Sequence, residues 1–208
     1  SNAQDSENAA KDWLLQIAPD FLMESSPMAR YSSGNYGALG SNLFKIIIDE
    51  LGYGVYEQKH STLFESTLRS VGLNATVQHY WQYYLNGSLF LANYYNMITR
   101  NKRHIFRYIG AIYQAETSFI SNCRIWQETL QQVLPDIDTR YFTEHCHIDT
   151  HHSRMVFEGL VKPAIEQHGT LAANEIVRGF EEAKWVGEFA EQDFVDQITW
   201  KNEAQALQ

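Results

Sequence analysis

Half of the histidines lie close together in the sequence, since four of the eight fall within nine consecutive residues. At about 100° per residue in a helix, Asp149 and His152 lie within roughly 40° of His145, while His147 and His151 point to other sides. Neutral imidazole and carboxylate groups bind divalent ions, and a mixed nitrogen and oxygen set favours iron or manganese over magnesium or calcium. The pattern therefore predicts three metal ligands on one face of a helix.

A single helix cannot enclose a metal ion, so inward-facing carboxylates from other helices must complete the site. Glu50, Glu57 and His60 follow one another at spacings of seven and three. They share one helical face if the helix runs straight through the two glycines between them. Glu24 is a further acidic residue in largely apolar surroundings. Glu116 also lies on a predicted helix, but a structural hydrogen bond is the simpler interpretation of its role.

The elements that must position these residues are predicted to be helices throughout. Apolar residues recur at three- and four-residue spacing, prolines are few, and no convincing strand pattern appears. The stretch 76–100 is aromatic on more than one face, which predicts a helix inside a bundle. Pro163 is expected to kink the sixth helix, and Gly169 to end it. The predicted bounds are 9–24, 37–51, 56–72, 76–100, 102–133, 138–168 and 170–202.

These segments together resemble the heme-oxygenase-like diiron oxidases and oxygenases over most of the chain. That family has a Glu on its first core helix, then a Glu followed ten residues later by a His around a glycine-broken turn, and His-x3-Asp-x2-His on a later helix. Residues 23–28, 49–54 and 59–65 look closest to the branch that includes the N-oxygenating central domain of nitrosourea biosynthesis. The resemblance implies a ligand set, with Glu57 as an additional member: Glu24, Glu50, Glu57, His60, His145, Asp149 and His152.

The resemblance also implies a fold and a reaction. The expected fold is an all-α, single-domain heme-oxygenase-like (TenA/PqqC-like) bundle of about seven helices. It is expected to hold two Fe(II)/Fe(III) ions, the second one weakly. With O2 and an external electron donor, the irons would oxidise a small metabolite, an amine or amino-acid-like compound first of all, by N-oxygenation or by C–H or C–C cleavage. Iron performs the chemistry, and the protein positions the substrate.

Length and charge restrict the classes of partner. A chain of 208 residues suits one domain, expected over 4–208 with Ser1-Asn2-Ala3 as a tag-removal scar. A formal charge of −9 disfavours nucleic acid and anionic membranes. No apolar stretch approaches the roughly 20 residues of a membrane span. The two cysteines are expected to be reduced, so a cytoplasmic protein is predicted. Small bundles with aromatic surfaces often form homodimers, and a homodimer stays open here.

Three alternatives use the same fold. The first is a TenA-type, cysteine-dependent thiamin or pyrimidine hydrolase, although Cys146 lies about 100° from His145 and both Cys146 and Cys123 suit a buried, inert thiol. The second is heme binding through one axial His, which makes no use of Asp149. The third is a non-enzymatic iron-binding protein with the same ligands. Oxygen consumption separates an enzyme from a store, and thiamin hydrolysis that survives a chelator favours the cysteine hypothesis.

Overall fold

The computed structural model describes residues 3–34 and 37–206, apart from the side chains of Asp149 and of residues 202–206. Within this part of the chain, all regular structure is helical, which confirms the predicted all-α fold. Short 3-10 turns cover Met28–Ser32, Gly52–Gly54, Tyr56–Gln58 and Lys102–His104. The α-helices are α1 (Ala3–Phe21), α2 (Gly37–Glu50), α3 (His60–Ser70), α4 (Asn86–Thr99), α5 (Ile105–Val133), α6 (Arg140–Val156) and α7 (Lys162–Ala206). None of these described helices combines the length and the apolar character that a bilayer-crossing helix requires.

Two apolar cores hold the bundle together. The α7-side core is built from α2, α4, α5, the end of α6, the turn that follows it and the first half of α7, with Ile46, Ile98 and Ile109 fully buried. The α1-side core joins α1 and α3 to the far end of α5 and the start of α6, around Leu14 and Phe64. Both α5 and α6 run from one core to the other. Polar residues in the middle of these two helices therefore lie at the level where the cores meet.

The aromatic stretch 76–100 is helical only in its second half, so the prediction for its first half was wrong. Gln78 has a left-handed φ of 65°, and Trp81 and Tyr83 are 64% and 70% exposed rather than packed inside the bundle. The amides at the start of α4 are bound by side chains instead of a preceding helical turn. The side-chain oxygen of Gln16 accepts a hydrogen bond from Leu85 N–H at 2.8 Å. A carboxylate oxygen of Asp193 accepts one from Gly87 N–H at 2.7 Å.

The other boundaries differ less from the predicted ones. Helix α1 begins earlier than predicted, at Ala3, and α3 begins only at His60. Helix α6 ends at Val156 in a π-helical turn over Phe157–Val161, so the irregularity lies before Pro163, which occupies the first turn of α7 and is tolerated there. Gly169 breaks the helix as predicted, with φ 60° and ψ −142°.

Candidate metal centre

Six of the acidic and histidine side chains converge in the interior. One set, the Glu24 group, comprises Glu24, Glu50, His60 and His145, and each residue offers a ligand atom within 4.8 Å of the others. A second set, the Glu116 group, comprises Glu50, Glu116 and His152 under the same limit. Glu50 belongs to both sets. A carboxylate has two oxygens, so it can serve two neighbouring ions at once.

A tight loop brings the last residue of α2 next to the first residue of α3. Gly52 has a φ of 61°, and a Cβ there would lie 2.6 Å from the backbone carbonyl carbon of Gln58. Only glycine allows that backbone conformation together with so close an approach. The result is that His60 Nδ1 lies 2.8 Å from Glu50 Oε2.

Helix α6 supplies one histidine to each group. His145 Nδ1 donates to the carbonyl oxygen of Tyr141 at 2.8 Å, because a carbonyl can only accept. In the neutral imidazole, Nε2 then presents its lone pair to Glu24 Oε1, 3.0 Å away. The Tyr141 hydroxyl donates to the same Glu24 oxygen at 3.1 Å. The backbone and side chain of Tyr141 thereby orient both residues.

His152 is oriented in the same way from the other end. Its Nε2 donates to Asp49 Oδ2 at 3.2 Å, since a carboxylate oxygen can only accept. Its Nδ1 lies 3.2 Å from Glu50 Oε1 and 3.4 Å from Glu116 Oε2. Ser25, which has a left-handed φ of 63°, donates from its hydroxyl to the other Glu50 oxygen at 3.2 Å.

The short distances between nitrogen and oxygen atoms within each group are better explained by a shared cation than by hydrogen bonds. His60 Nδ1, His152 Nδ1 and Glu24 Oε2 are buried without a hydrogen-bond partner among the described residues, although the two imidazole nitrogens lie close to carboxylate oxygens. Two ligand atoms held at about 2.1 Å from an ion at right angles lie about 3.0 Å apart. Distances of 2.8–3.4 Å between nitrogen and oxygen match that separation. The residues therefore fit a first-row metal ion such as iron in each group.

The charges of the metal-free site depend on one another. Burial raises the pKa of Glu50, but His60 and His152 outweigh this effect and hold it well below the usual range. Burial raises the pKa of Glu116, which His152 only partly offsets. Burial lowers the pKa of His152, yet Glu116 and Glu50 raise it above its ordinary value. The neighbouring carboxylates thus favour a second proton on His152, and an ion bound there would take its place, so metal binding should release protons.

Two residues named from the sequence stand apart from these groups. Glu57 is exposed on the Tyr56–Gln58 turn and belongs to neither group, because the chain leaves the helical path after α2. The chain does not run straight through the two glycines, and the shared face of Glu57 with Glu50 and His60 depended on that condition. Asp149 lies on α6, and its side chain is outside the described residues.

Two residues outside the expected ligand set lie at the groups: Glu116, for which the sequence favoured a structural hydrogen bond, and Asp49, which was not considered. Glu116 follows Ile109 and Ile112 at spacings of seven and four on the buried face of α5, and this position was the available signal that it points inward. Asp49 carries no comparable signal, because it is adjacent to Glu50 and neighbouring residues on a straight helix face different directions.

Asp49 provides a test of how His152 is held. Asp49→Ala removes the acceptor of the His152 Nε2–H group, so we expect a ferrous ion added to the Glu116 group to bind about 10- to 100-fold more weakly than in the parent. Asp49→Asn keeps an acceptor oxygen and should lose less. Anaerobic ferrous titration of the two variants measures the effect, and unchanged affinity in Asp49→Ala would show that His152 is held by other contacts.

A large cavity adjoins the Glu24 group. Its volume is about 640 Å³, and its wall includes Glu24, Glu50, Glu116 and His145. Aromatic and aliphatic side chains form much of the remaining lining, including Trp13, Phe21, Met28, Tyr95, Ile112 and Trp126. Cavities of roughly 300–1,000 Å³ accommodate small organic molecules. A substrate bound here would lie next to the candidate metal positions.

Comparison with known proteins shows which family the chain belongs to. The sequence model of a family described as iron-containing redox enzymes matches residues 11–188, most of the chain. The chain belongs to that family. This iron-containing redox enzyme is also 52% identical over 197 residues to a nitrosourea synthase of Streptomyces achromogenes subsp. streptozoticus. The match covers 94% of the chain but only 42% of that relative.

The two cysteines lie at the α1-side core and outside the candidate metal centre. Cys123 is fully buried in the α1-side core, and Cys146 packs against the same core. Neither belongs to the ligand groups found among the described side chains. Cys123 is thus the buried core thiol that the sequence predicts, whereas Cys146 is only half-buried.

Proposed function

We propose that this chain binds two iron ions and uses O2 to oxidise a small metabolite, with N-oxygenation of an amine or amino-acid-like compound as its reaction. The observation that carries the proposal is the shared carboxylate. Glu50 directs one oxygen to His60 and the other to His152, which suits two adjacent ions rather than one. A single heme iron needs one axial His, so heme binding would not account for the Glu116 group.

The residues divide between the two ions. Glu24, His60 and His145 would hold the first, Glu116, His152 and Asp149 the second, and Glu50 both. Iron supplies the reduction of O2 and the transfer of an oxygen atom. When one oxygen atom reaches the substrate and the other leaves as water, two electrons must come from outside, so an external electron donor belongs to the proposal. A homodimer and a cytoplasmic location stay predictions.

The side chains around the ions have separate tasks. The hydroxyls of Tyr141 and Ser25 hold the carboxylates of Glu24 and Glu50, and Asp49 holds the ring of His152. The apolar wall of the cavity limits the water near the ions and positions the substrate. A nitrosourea contains an oxidised nitrogen, which favours N-oxygenation over C–H or C–C cleavage for a chain so similar to a nitrosourea synthase.

Iron content and oxygen uptake test the proposal. After anaerobic loading with ferrous iron, the parent protein should hold about two irons per chain, and His145→Ala should lose at least the one in the Glu24 group. His147→Ala is the matched control, because His147 is an exposed histidine on the same helix. The loaded parent should consume oxygen with a member of an amine and amino-acid panel.

Three results would contradict the proposal. Equal iron content in His145→Ala and His147→Ala would remove the metal centre. Iron binding without oxygen uptake on any compound would indicate a store. Thiamin hydrolysis that persists in the presence of a chelator would favour the cysteine-dependent hydrolase.

A further inference from the structure

Asp20 is a half-buried carboxylate of the cavity wall that belongs to neither ligand group. Gln16, Asp20 and Glu24 follow at four-residue spacing along α1 and the turn after it, and all three line the cavity. Asp20 lies in the last turn of the helix, close enough to Glu24 for the two charges to interact. Asp20 is half-buried, and it lines the cavity. The residue is therefore placed to meet whatever occupies this space.

The carboxylate of Asp20 has no protein partner in the described part of the chain. No side chain or backbone group there donates a hydrogen bond to it, and no lysine, arginine or histidine forms an ion pair with it. Burial, and then the nearby charge of Glu24, raise its pKa to about 7. A carboxylate that has lost part of its contact with water and has no donor or cation beside it is in an unfavourable environment. Gln16, in contrast, is fully used, since it bonds Leu85, Ser88 and Tyr83.

The described residues that line the cavity carry more negative than positive charges. Glu24, Glu50 and Glu116 also line it, but these carboxylates face the candidate metal positions, and bound ions would neutralise them. Among the described lining residues, Lys184 is the single lysine or arginine, and its exposed side chain lies 3.9 Å from Glu188. Among the lining carboxylates outside the ligand groups, Asp20 is half-buried whereas Glu188 and Glu191 are exposed, and no basic side chain accounts for it.

We propose that Asp20 binds a positively charged nitrogen group of the substrate, so that the cavity selects a protonated nitrogen base over a neutral compound of the same shape. This inference rests on the proposed function, because it takes the cavity to be the substrate site beside the irons. A cation at Asp20 would give this half-buried carboxylate a partner. It would also anchor the substrate next to Glu24, beside the ion of that group.

The charge requirement can be measured by binding, without turnover. The protein is loaded with ferrous iron under anaerobic conditions and titrated calorimetrically with two pairs of compounds, lysine against norleucine and arginine against citrulline. The members of each pair are similar in size and differ in the charge of the side-chain end. The parent should bind the cationic member at least about tenfold more tightly, because a charge-assisted hydrogen bond to a buried carboxylate is strong.

Two variants assign that preference to Asp20. Asp20→Asn keeps the shape of the side chain and removes its charge, so we expect the preference for the cationic members to disappear while iron content stays at the parent value. Glu188→Gln removes an exposed carboxylate from the wall of the same cavity and should keep the preference. Circular dichroism shows whether each variant is folded. If Asp20→Asn does not fold, Asp20→Glu is used in its place; it retains the charge and should retain part of the preference.

The inference and the proposed function can fail separately. Equal affinity within both pairs in the parent, including no binding of either member, would overturn the inference, as would a preference that survives in Asp20→Asn. Loss of iron in Asp20→Asn would also overturn it, because Asp20 would then be a metal ligand. A preference that depends on Asp20, in a protein that consumes no oxygen, would support the binding site and count against the oxygenase.

Discussion

Glu50→Gln is expected to remove both irons of the proposed centre. Glu50 is the residue common to both groups, with Oε2 2.8 Å from His60 Nδ1 and Oε1 3.2 Å from His152 Nδ1. Glutamine replaces one of these oxygens with an amide that cannot bind a metal, and it removes the negative charge between the two positions. Iron per chain after anaerobic ferrous loading should approach zero, and oxygen uptake should fall by at least about 100-fold.

Two comparisons give this result its meaning. Glu57→Gln changes an exposed glutamate in the adjoining loop and should leave the iron content unchanged. Glu116→Gln alters a ligand of one group only and should retain about one iron. Circular dichroism separates loss of metal from loss of fold. If Glu50→Gln retains one tightly bound iron, the carboxylate serves only one ion and the shared arrangement is wrong.

The sequence could predict that His145 and His152 share one face, because both lie on one helix. Helical periodicity fixes which residues share a face, and both imidazoles are buried as that periodicity requires. The bounds of α2 and α5 follow from the same periodicity and from local stop signals. These predictions depend only on residues within one or two turns of each other.

The approach of Glu50 to His60 could not be predicted in this way. It depends on the positive φ of Gly52 and on the packing of that glycine against the Gln58 backbone, neither of which a spacing of ten residues specifies. The same loop geometry carries Glu57 to the surface. A resemblance to a family could suggest Glu50 and His60 as ligands, but only the folded loop distinguishes them from Glu57.

Glu116 and the start of α4 show the limit set by distant contacts. Glu116 differs from an ordinary structural glutamate because His152 of another helix lies 3.4 Å away. The stretch before Asn86 has the composition of a helix, yet the amides at the start of α4 are bound by Gln16 from α1 and Asp193 from α7. Tertiary partners of this kind override local propensity.

Gly110→Ala is expected to destabilise the protein by about 3 kcal/mol or more, which lowers the midpoint of thermal unfolding by roughly 6–12 °C. Helices α5 and α7 cross where Gly110 meets the backbone of α7 and Gly179 meets the backbone of α5. A Cβ on Gly110 would lie 1.9 Å from the carbonyl oxygen of Ile176, and one on Gly179 would lie 1.9 Å from that of Arg107. Backbone atoms cannot rotate away as a side chain can, so the two helices must separate.

Gly187→Ala is the matched control for this crossing. Gly187 also lies on α7, but a Cβ there meets nothing within 4 Å, and alanine favours the helix by up to about 1 kcal/mol over glycine. Thermal unfolding followed by circular dichroism should therefore show a lower midpoint for Gly110→Ala and an equal or higher one for Gly187→Ala. Since α5 also carries Glu116, a folded Gly110→Ala protein should bind the iron of the Glu116 group more weakly. Equal midpoints for the two variants would mean that the helices separate at little cost and that this crossing does not set the position of Glu116.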